Sequence, residues 1–251
     1  MKYWILFFCI LMAMGFIYPG KRKVHLFLAG DSTMSIKEKK AYPETGWGMP
    51  FEFFWDSSIT VINKAKNGRS TKTFIQEGIW KNIVDSLQSG DYVFIQFGHN
   101  DESPEKVDRY TSPDSFRTNL QFFIQQVTQK GGIPILLTPV SRRKFDKNGT
   151  ALATHEKYTP LVLEVAQQMN TYCIDLDSAS RNLYQQMGAD NSRLLFLQLQ
   201  PGEHPNYPNG KEDNTHFNEL GARLIAQIVL ADIKKNIPAL AQRIVTPTEK
   251  K

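Results

Sequence analysis

Four short blocks of the 251-residue chain hold residue types that could transfer an acyl group together: Gly30-Asp31-Ser32, the stretch from Asn63 to Ser70, Gly98-His99-Asn100-Asp101, and Asp213-Asn214-Thr215-His216. A serine hydroxyl is a weak nucleophile until a base takes its proton, and an imidazole serves best when a carboxylate fixes its tautomer. Ser32 supplies the hydroxyl, while His216 and Asp213 supply base and orienter from one short loop. Attack on an acyl carbon creates an oxyanion, which needs hydrogen-bond donors aimed at it. The backbone N–H of Ser32, the backbone N–H of Gly68 and the side-chain amide of Asn100 are three candidates. Glycine at position 68 lets the backbone approach a substrate closely. Taken singly, each block also reads as an ordinary turn or cap. Their joint occurrence, each at a strand end or helix start, is what links them.

The elements that must position these blocks follow from apolar patterning. Five short runs, Val24–Ala29, Ile59–Asn63, Tyr92–Phe97, Ile133–Leu137 and Tyr172–Ile174, lack clean alternation and suit parallel strands buried on both faces. Between them lie helical stripes. Phe116, Leu120, Phe123, Ile124 and Val127 follow a Ser112-Pro113 start and stop at Gly131; Leu161, Val162, Val165, Ala166 and Met169 form a second; Phe217, Leu220, Leu224, Ile225 and Ile228 form a third, ending before Pro238. The alternation predicts a doubly wound α/β/α sandwich around a mostly parallel five-stranded sheet of flavodoxin-like type. Three blocks then fall at carboxyl ends of strands, where ligands meet such sheets, and the fourth just before the last helix. Ser32 is expected where the first strand gives way to a helix. Long segments at 35–58 and 194–214 read as binding loops; a third, 140–159, carries Arg142, Arg143, Lys144 and Lys147.

Lys2 followed by the apolar run Tyr3–Ile17 predicts a secretory signal peptide over residues 1–20, with an uncleaved amino-terminal anchor as the alternative. Residues 21–251 are then one catalytic domain, and export to the periplasm or medium is expected. Cys9 falls within the signal, leaving Cys173 unable to form an internal disulfide and expected as a buried free thiol. The net charge of +5 is modest and dispersed, so it does not point to nucleic acid. No phosphate loop, dinucleotide fingerprint, Gly-x-Ser-x-Gly elbow or close-spaced His/Cys cluster occurs, so no metal or organic cofactor is expected. His25 is expected as a satisfied strand residue, and His99 as a pocket border without a catalytic role.

The four blocks resemble those of the SGNH (GDSL-type) hydrolases, whose Ser, Gly, Asn and His correspond to Ser32, Gly68, Asn100 and His216. Gly46-Trp47-Gly48, Asn63-x-Ala65-x-x-Gly68-Arg69-Ser70, Phe97-Gly98-His99-Asn100-Asp101 and Asp213-x-x-His216-Phe217 are similar to the rhamnogalacturonan acetylesterase branch. The resemblance implies a carbohydrate O-acetylesterase of pectin, with Ser32 as nucleophile, His216 as base, Asp213 as orienter, and Ser32, Gly68 and Asn100 as oxyanion hole. Lys64, Lys66 and Asn67 crowd the second block with polar side chains, a departure from that pattern. Arg69, Trp47, His204 and Tyr207 are the candidate substrate contacts. Arg69, Arg142 or Arg143 is expected to meet a uronate carboxylate. Glu203 and Asn206 share the last long loop without an assigned role. An esterase of acetylated xylan or lipid, or a sugar-binding protein without catalysis, are the alternatives.

Overall fold

The computed structural model describes residues 23–245, so the predicted signal peptide lies outside the described residues. The five predicted strands form one sheet: β1 (Val24–Gly30), β2 (Ile59–Asn63), β3 (Tyr92–Gln96), β4 (Ile133–Leu137) and β5 (Tyr172–Ile174). All neighbours run parallel in the order β2-β1-β3-β4-β5, so the expected sheet is parallel throughout. The order reverses at β1, and the crevice beside such a reversal is where open α/β sheets take their ligands.

The strand residues divide strictly by parity. Val24, Leu26 and Leu28 of β1 join Tyr92, Phe94, Ile135, Leu137 and Ile174 in one apolar cluster, while Phe27, Ala29, Val93, Ile95 and Leu136 join another on the opposite face. Covered on both faces, these strands carry few polar residues, His25, Thr60, Asn63 and Gln96 among them, which is why they appear in sequence as mainly apolar runs without clean alternation.

Helices cover both faces. In chain order they are α1 (Gly48–Phe51), α2 (Thr71–Gln76), α3 (Ile79–Ser86), α4 (Pro113–Gln129), α5 (Thr159–Gln168), α6 (Leu176–Asn191), α7 (Glu219–Asn236) and α8 (Pro238–Ala241). Helix α4 begins as expected, with Ser112 Oγ accepting the N–H of Ser115 and proline at the first helical position. Among the described residues no helix is long and apolar enough to cross a membrane.

Three expectations need correction. The region 194–214 is not one long loop: β6 (Phe196–Leu199) and β7 (Lys211–Phe217) pair antiparallel as a separate two-stranded sheet. The last helix accordingly starts after Phe217, capped by Asn218, whose side chain accepts the N–H of Gly221. Its inner stripe is Ala222, Ile225, Ala226, Val229 and Ile233, whereas Leu220 is exposed. The strand β1 also ends in a turn, not a helix; Asp31 O accepts the N–H groups of Met34 and Ser35.

Candidate active site

The turn after β1 is built by its own acid. Asp31, fully buried, accepts both the N–H and the hydroxyl of Thr33 on Oδ1, at 2.9 and 2.8 Å. Burial raises its carboxyl above the ordinary range, and the Thr33 bonds oppose that rise. Beneath the turn runs a buried chain of hydrogen bonds: Trp47 Nε1 donates to Gln96 Oε1 at 2.7 Å, and Gln96 Nε2 donates to Thr33 Oγ1 at 3.0 Å. Trp47 is therefore no substrate platform. Its side chain is wholly buried under the Ser32 turn, and a substrate cannot reach it. The flanking glycines show why it sits there: a Cβ on Gly46 would lie 2.0 Å from Ser35 O, and one on Gly48 2.5 Å from Met34 O.

The loop after β2 is held against this turn. Asn63 Nδ2 donates to Met34 O, and Lys66 N–H donates to Gly30 O. A lysine passed over in the sequence completes the join. Lys37 Nζ donates to Ser32 O at 2.5 Å and Asn67 Oδ1 at 2.8 Å, and pairs with Glu44 Oε1 at 2.7 Å; its side chain is 2% exposed. Burial lowers this ammonium, and the Glu44 carboxylate resists the change. Asn67 also accepts from Ser35 Oγ, so this part of the polar crowding in the second block is mortar between two loops. Gly68 has φ +76°, a left-handed conformation that glycine adopts without strain. The loop ends in Ser70, which exchanges hydrogen bonds with Thr73 to cap α2.

After β3, Asp101 Oδ1 accepts the N–H and hydroxyl of Thr71 at 2.9 and 2.6 Å, locking the third loop to the second. Burial pushes its carboxyl up to about 7. Asn100 Nδ2 donates to Arg69 O at 3.0 Å, while Asn100 Oδ1 accepts from Arg109 Nη1 at 2.9 Å. His99 borders the cavity as expected; burial, reinforced by the neighbouring His155 ring, pushes its imidazole well below the usual range.

Asp213 and His216 come from β7. His216 Nε2 lies 3.0 Å from Ser32 Oγ, and its Nδ1 lies 2.8 Å from Asp213 Oδ2. Asp213 Oδ1 accepts the N–H groups of His216 and Thr215. Burial alone would raise the Asp213 carboxyl, but His216 and these donors together hold it well below the usual carboxylate range. A carboxylate only accepts, so Nδ1 carries the imidazole proton and Nε2 faces Ser32 as an acceptor. Ser32, Gly68, Asn100 and His216 all line one cavity of about 400 Å³. Among the described residues no acceptor holds the N–H of Ser32 or Gly68, leaving both available.

The other candidate contacts fall elsewhere. Arg69 points away, giving Nε and Nη2 to Glu77 and Nη1 to Asn67 O. Arg143 is a brace: it donates to Ser192 Oγ, Ala189 O and Asn214 Oδ1, fixing the residue beside Asp213. Arg142 does line the cavity, its Nη1 bonded to Glu102 Oε1. His204 packs at a tilt against Tyr42, ring centroids 5.4 Å apart, and Tyr207 donates its hydroxyl to Ala41 O, so both join the hairpin to the 39–42 turn instead of lining the cavity. Asn206 Nδ2 donates to Lys39 O and Tyr42 O in the same joint. Sequence does not single out Lys37, Lys106 and Arg109, which sit in charged stretches of polar loops, or Glu44, a lone acid; the last three line the cavity. His25 is satisfied by Asp91, and Cys173 is half-buried, its thiol pushed up to about 12 by burial. Among the described residues no group of three His, Cys, Asp or Glu is placed to hold a metal ion.

A serine, an imidazole and a carboxylate joined at the carboxyl edge of a flavodoxin-ordered sheet match a class, the serine hydrolases built on a parallel α/β sheet. Known proteins fall in the same class. The profile of the GDSL-like lipase/acylhydrolase family matches residues 29–224. Rhamnogalacturonan acetylesterase RhgT of Bacillus subtilis is 39% identical over 86% of this chain and 91% of its own length. Probable rhamnogalacturonan acetylesterase YesY of the same organism is 34% identical over 84% and 93%. Among solved structures, the protein YxiM of Bacillus subtilis superposes with a TM-score of 0.75 at 26% identity, over 87% of this chain and 58% of that longer one. Axe2, an acetylxylan esterase from Geobacillus stearothermophilus, shares the fold with a TM-score of 0.60 at 16% identity, over 84% and 94%. The chain belongs to the GDSL-like lipase/acylhydrolase family.

Proposed function

We propose that this protein is a carbohydrate O-acetylesterase that removes acetyl groups from a pectic polysaccharide of the rhamnogalacturonan type, through an acyl-enzyme on Ser32. The observation that carries the mechanism is the unbroken line from Ser32 Oγ through His216 to Asp213, with bonds of 3.0 and 2.8 Å. Ser32 Oγ attacks the acetyl carbonyl as His216 Nε2 takes its proton. The oxyanion forms against the N–H of Ser32, the N–H of Gly68 and the free N–H of the Asn100 amide. His216 returns the proton to the departing sugar hydroxyl, then activates the water that releases acetate. Asp213, held ionised, stabilises the imidazolium in both steps.

Two features support the acetylated, anionic substrate. The relatives of highest identity quoted above are named as rhamnogalacturonan acetylesterases. Lys106 and Arg142 border the cavity that contains Ser32, placing cations where a galacturonate carboxylate can lie. This moves the expected uronate contact from Arg69 and Arg143 to Arg142. Export to the periplasm or medium is part of the proposal, resting on the apolar run after Lys2. The test is acetate release from acetylated pectin by the wild type and by Ser32→Ala, with aryl esters of increasing acyl length alongside. The expected result is a loss of at least about a thousandfold in Ser32→Ala and a preference for acetyl. Equal rates would remove the nucleophile, and a preference for long acyl chains would point to lipid.

A further inference from the structure

Arg109 stands where the second and third loops meet. Its Nη1 donates to Asn100 Oδ1 at 2.9 Å and lies 3.5 Å from Gly68 O. A Cβ built on Gly68 would come within 3.1 Å of the same nitrogen, so the guanidinium packs directly on that peptide. One cation thus touches two of the three groups proposed to hold the oxyanion. Successive turns set its position: Lys106 O accepts the N–H groups of Arg109 and Tyr110, and Asp101 O accepts that of Thr111.

The consequence lies in the chemistry of an amide. Asn100 can face the cavity with its NH2 or with its oxygen, and only the first stabilises an oxyanion. A guanidinium can only donate and a carbonyl can only accept. With Arg109 on Oδ1 and Arg69 O on Nδ2, rotating the amide by half a turn would set donor against donor and acceptor against acceptor. The second N–H of Nδ2 is left for the cavity. Among the described residues, both side-chain hydrogen bonds of Arg109 go to uncharged oxygens and no ion pair engages it, so its charge is not cancelled in place. It polarises the amide it holds and adds positive potential behind the donors.

We propose that Arg109 is a positioning residue of the oxyanion hole, fixing the Asn100 amide in its donating orientation and strengthening it by charge. This rests on the proposed roles of Ser32 and Asn100. It differs from a uronate contact, because it must appear on a small neutral substrate.

The experiment is a double-mutant cycle on an aryl acetate, with Arg109→Ala, Asn100→Ala, the double variant and Ser32→Ala, each checked for an unchanged melting temperature. Arg109→Ala should lower kcat roughly ten- to thirtyfold with KM within about twofold, a fraction of the loss expected for a whole oxyanion donor. In the Asn100→Ala background the same change should cost less than about threefold, because the group it acts through is gone. Arg109→Lys, keeping charge without the planar fork, should recover part of the loss. Equal losses in both backgrounds, a loss confined to KM, or unchanged kcat would overturn the proposal while Ser32→Ala remained inactive. An active Ser32→Ala would instead overturn the reading of the site, and this proposal with it.

Discussion

Ser32, Gly68 and Asn100 stand just past the ends of β1, β2 and β3, the strands at the centre and one edge of the main sheet. Asp213 and His216 ride on β7, in a two-stranded hairpin whose residues Lys211 to His216 are all at least partly exposed. The first group is placed by the interior: Trp47, Gln96, Thr33, Asp31 and Asp101 are all buried, and their hydrogen bonds run below the loops. The second is placed by side chains reaching over the surface. Gln198 Nε2 donates to Asp213 O at 2.9 Å, and Arg143 Nη1 donates to Asn214 Oδ1 at 2.9 Å. Damage to the first set should therefore register as lost stability, and damage to the second as lost turnover in a folded protein.

The largest expected effect is on the buried side. Trp47→Ala removes a core indole and orphans Gln96 Oε1, and should destabilise by roughly 3–5 kcal/mol, read by thermal or denaturant unfolding. Preserved stability would dissolve the contrast. The next test uses pH. The carboxyl of Asp101 titrates near 7 when folded, against 3.8 ordinarily, so between those values the folded chain keeps a proton that the unfolded chain has lost. Unfolding free energy should then fall as pH rises through this window, by roughly 4 kcal/mol at about 1.36 kcal/mol per pH unit. Asp101→Asn should flatten that slope, and an unaltered slope would assign it to another group. The smallest effect in free energy belongs to the hairpin. Arg143→Ala should lower kcat roughly tenfold through misplacement of Asp213, with the unfolding midpoint nearly unchanged. A large drop in stability instead would place the hairpin with the core.

The same contrast explains what could be read from the sequence. The five sheet strands are legible because helices on both faces keep them mainly apolar, with few polar residues such as His25 and Thr60. Strand β7, Lys211-Glu212-Asp213-Asn214-Thr215-His216-Phe217, has a single buried residue, Phe217, and without apolar alternation it resembles a loop. Ser32, Gly68, Asn100, Asp213 and His216 were legible as a constellation, each tied to a local break in pattern. Trp47 misled because an aromatic between glycines looks like a sugar platform, when those glycines admit it to the core. Lys37 and Arg109 were illegible for the opposite reason. Each lies in a charged stretch typical of a solvated surface, and only the fold reveals that one is buried and the other pinned to an amide.

Lys37 also gives the molecule a built-in clock. All three protons of its ammonium are engaged, by Ser32 O, Asn67 Oδ1 and Glu44, while the Lys40 side chain three residues on is 85% exposed. An amine-reactive reagent should modify Lys40 at once and Lys37 only when the nucleophile's turn parts from the loop after β2. The ratio of the two labelling rates, read by peptide mass spectrometry, should measure how often the turn opens.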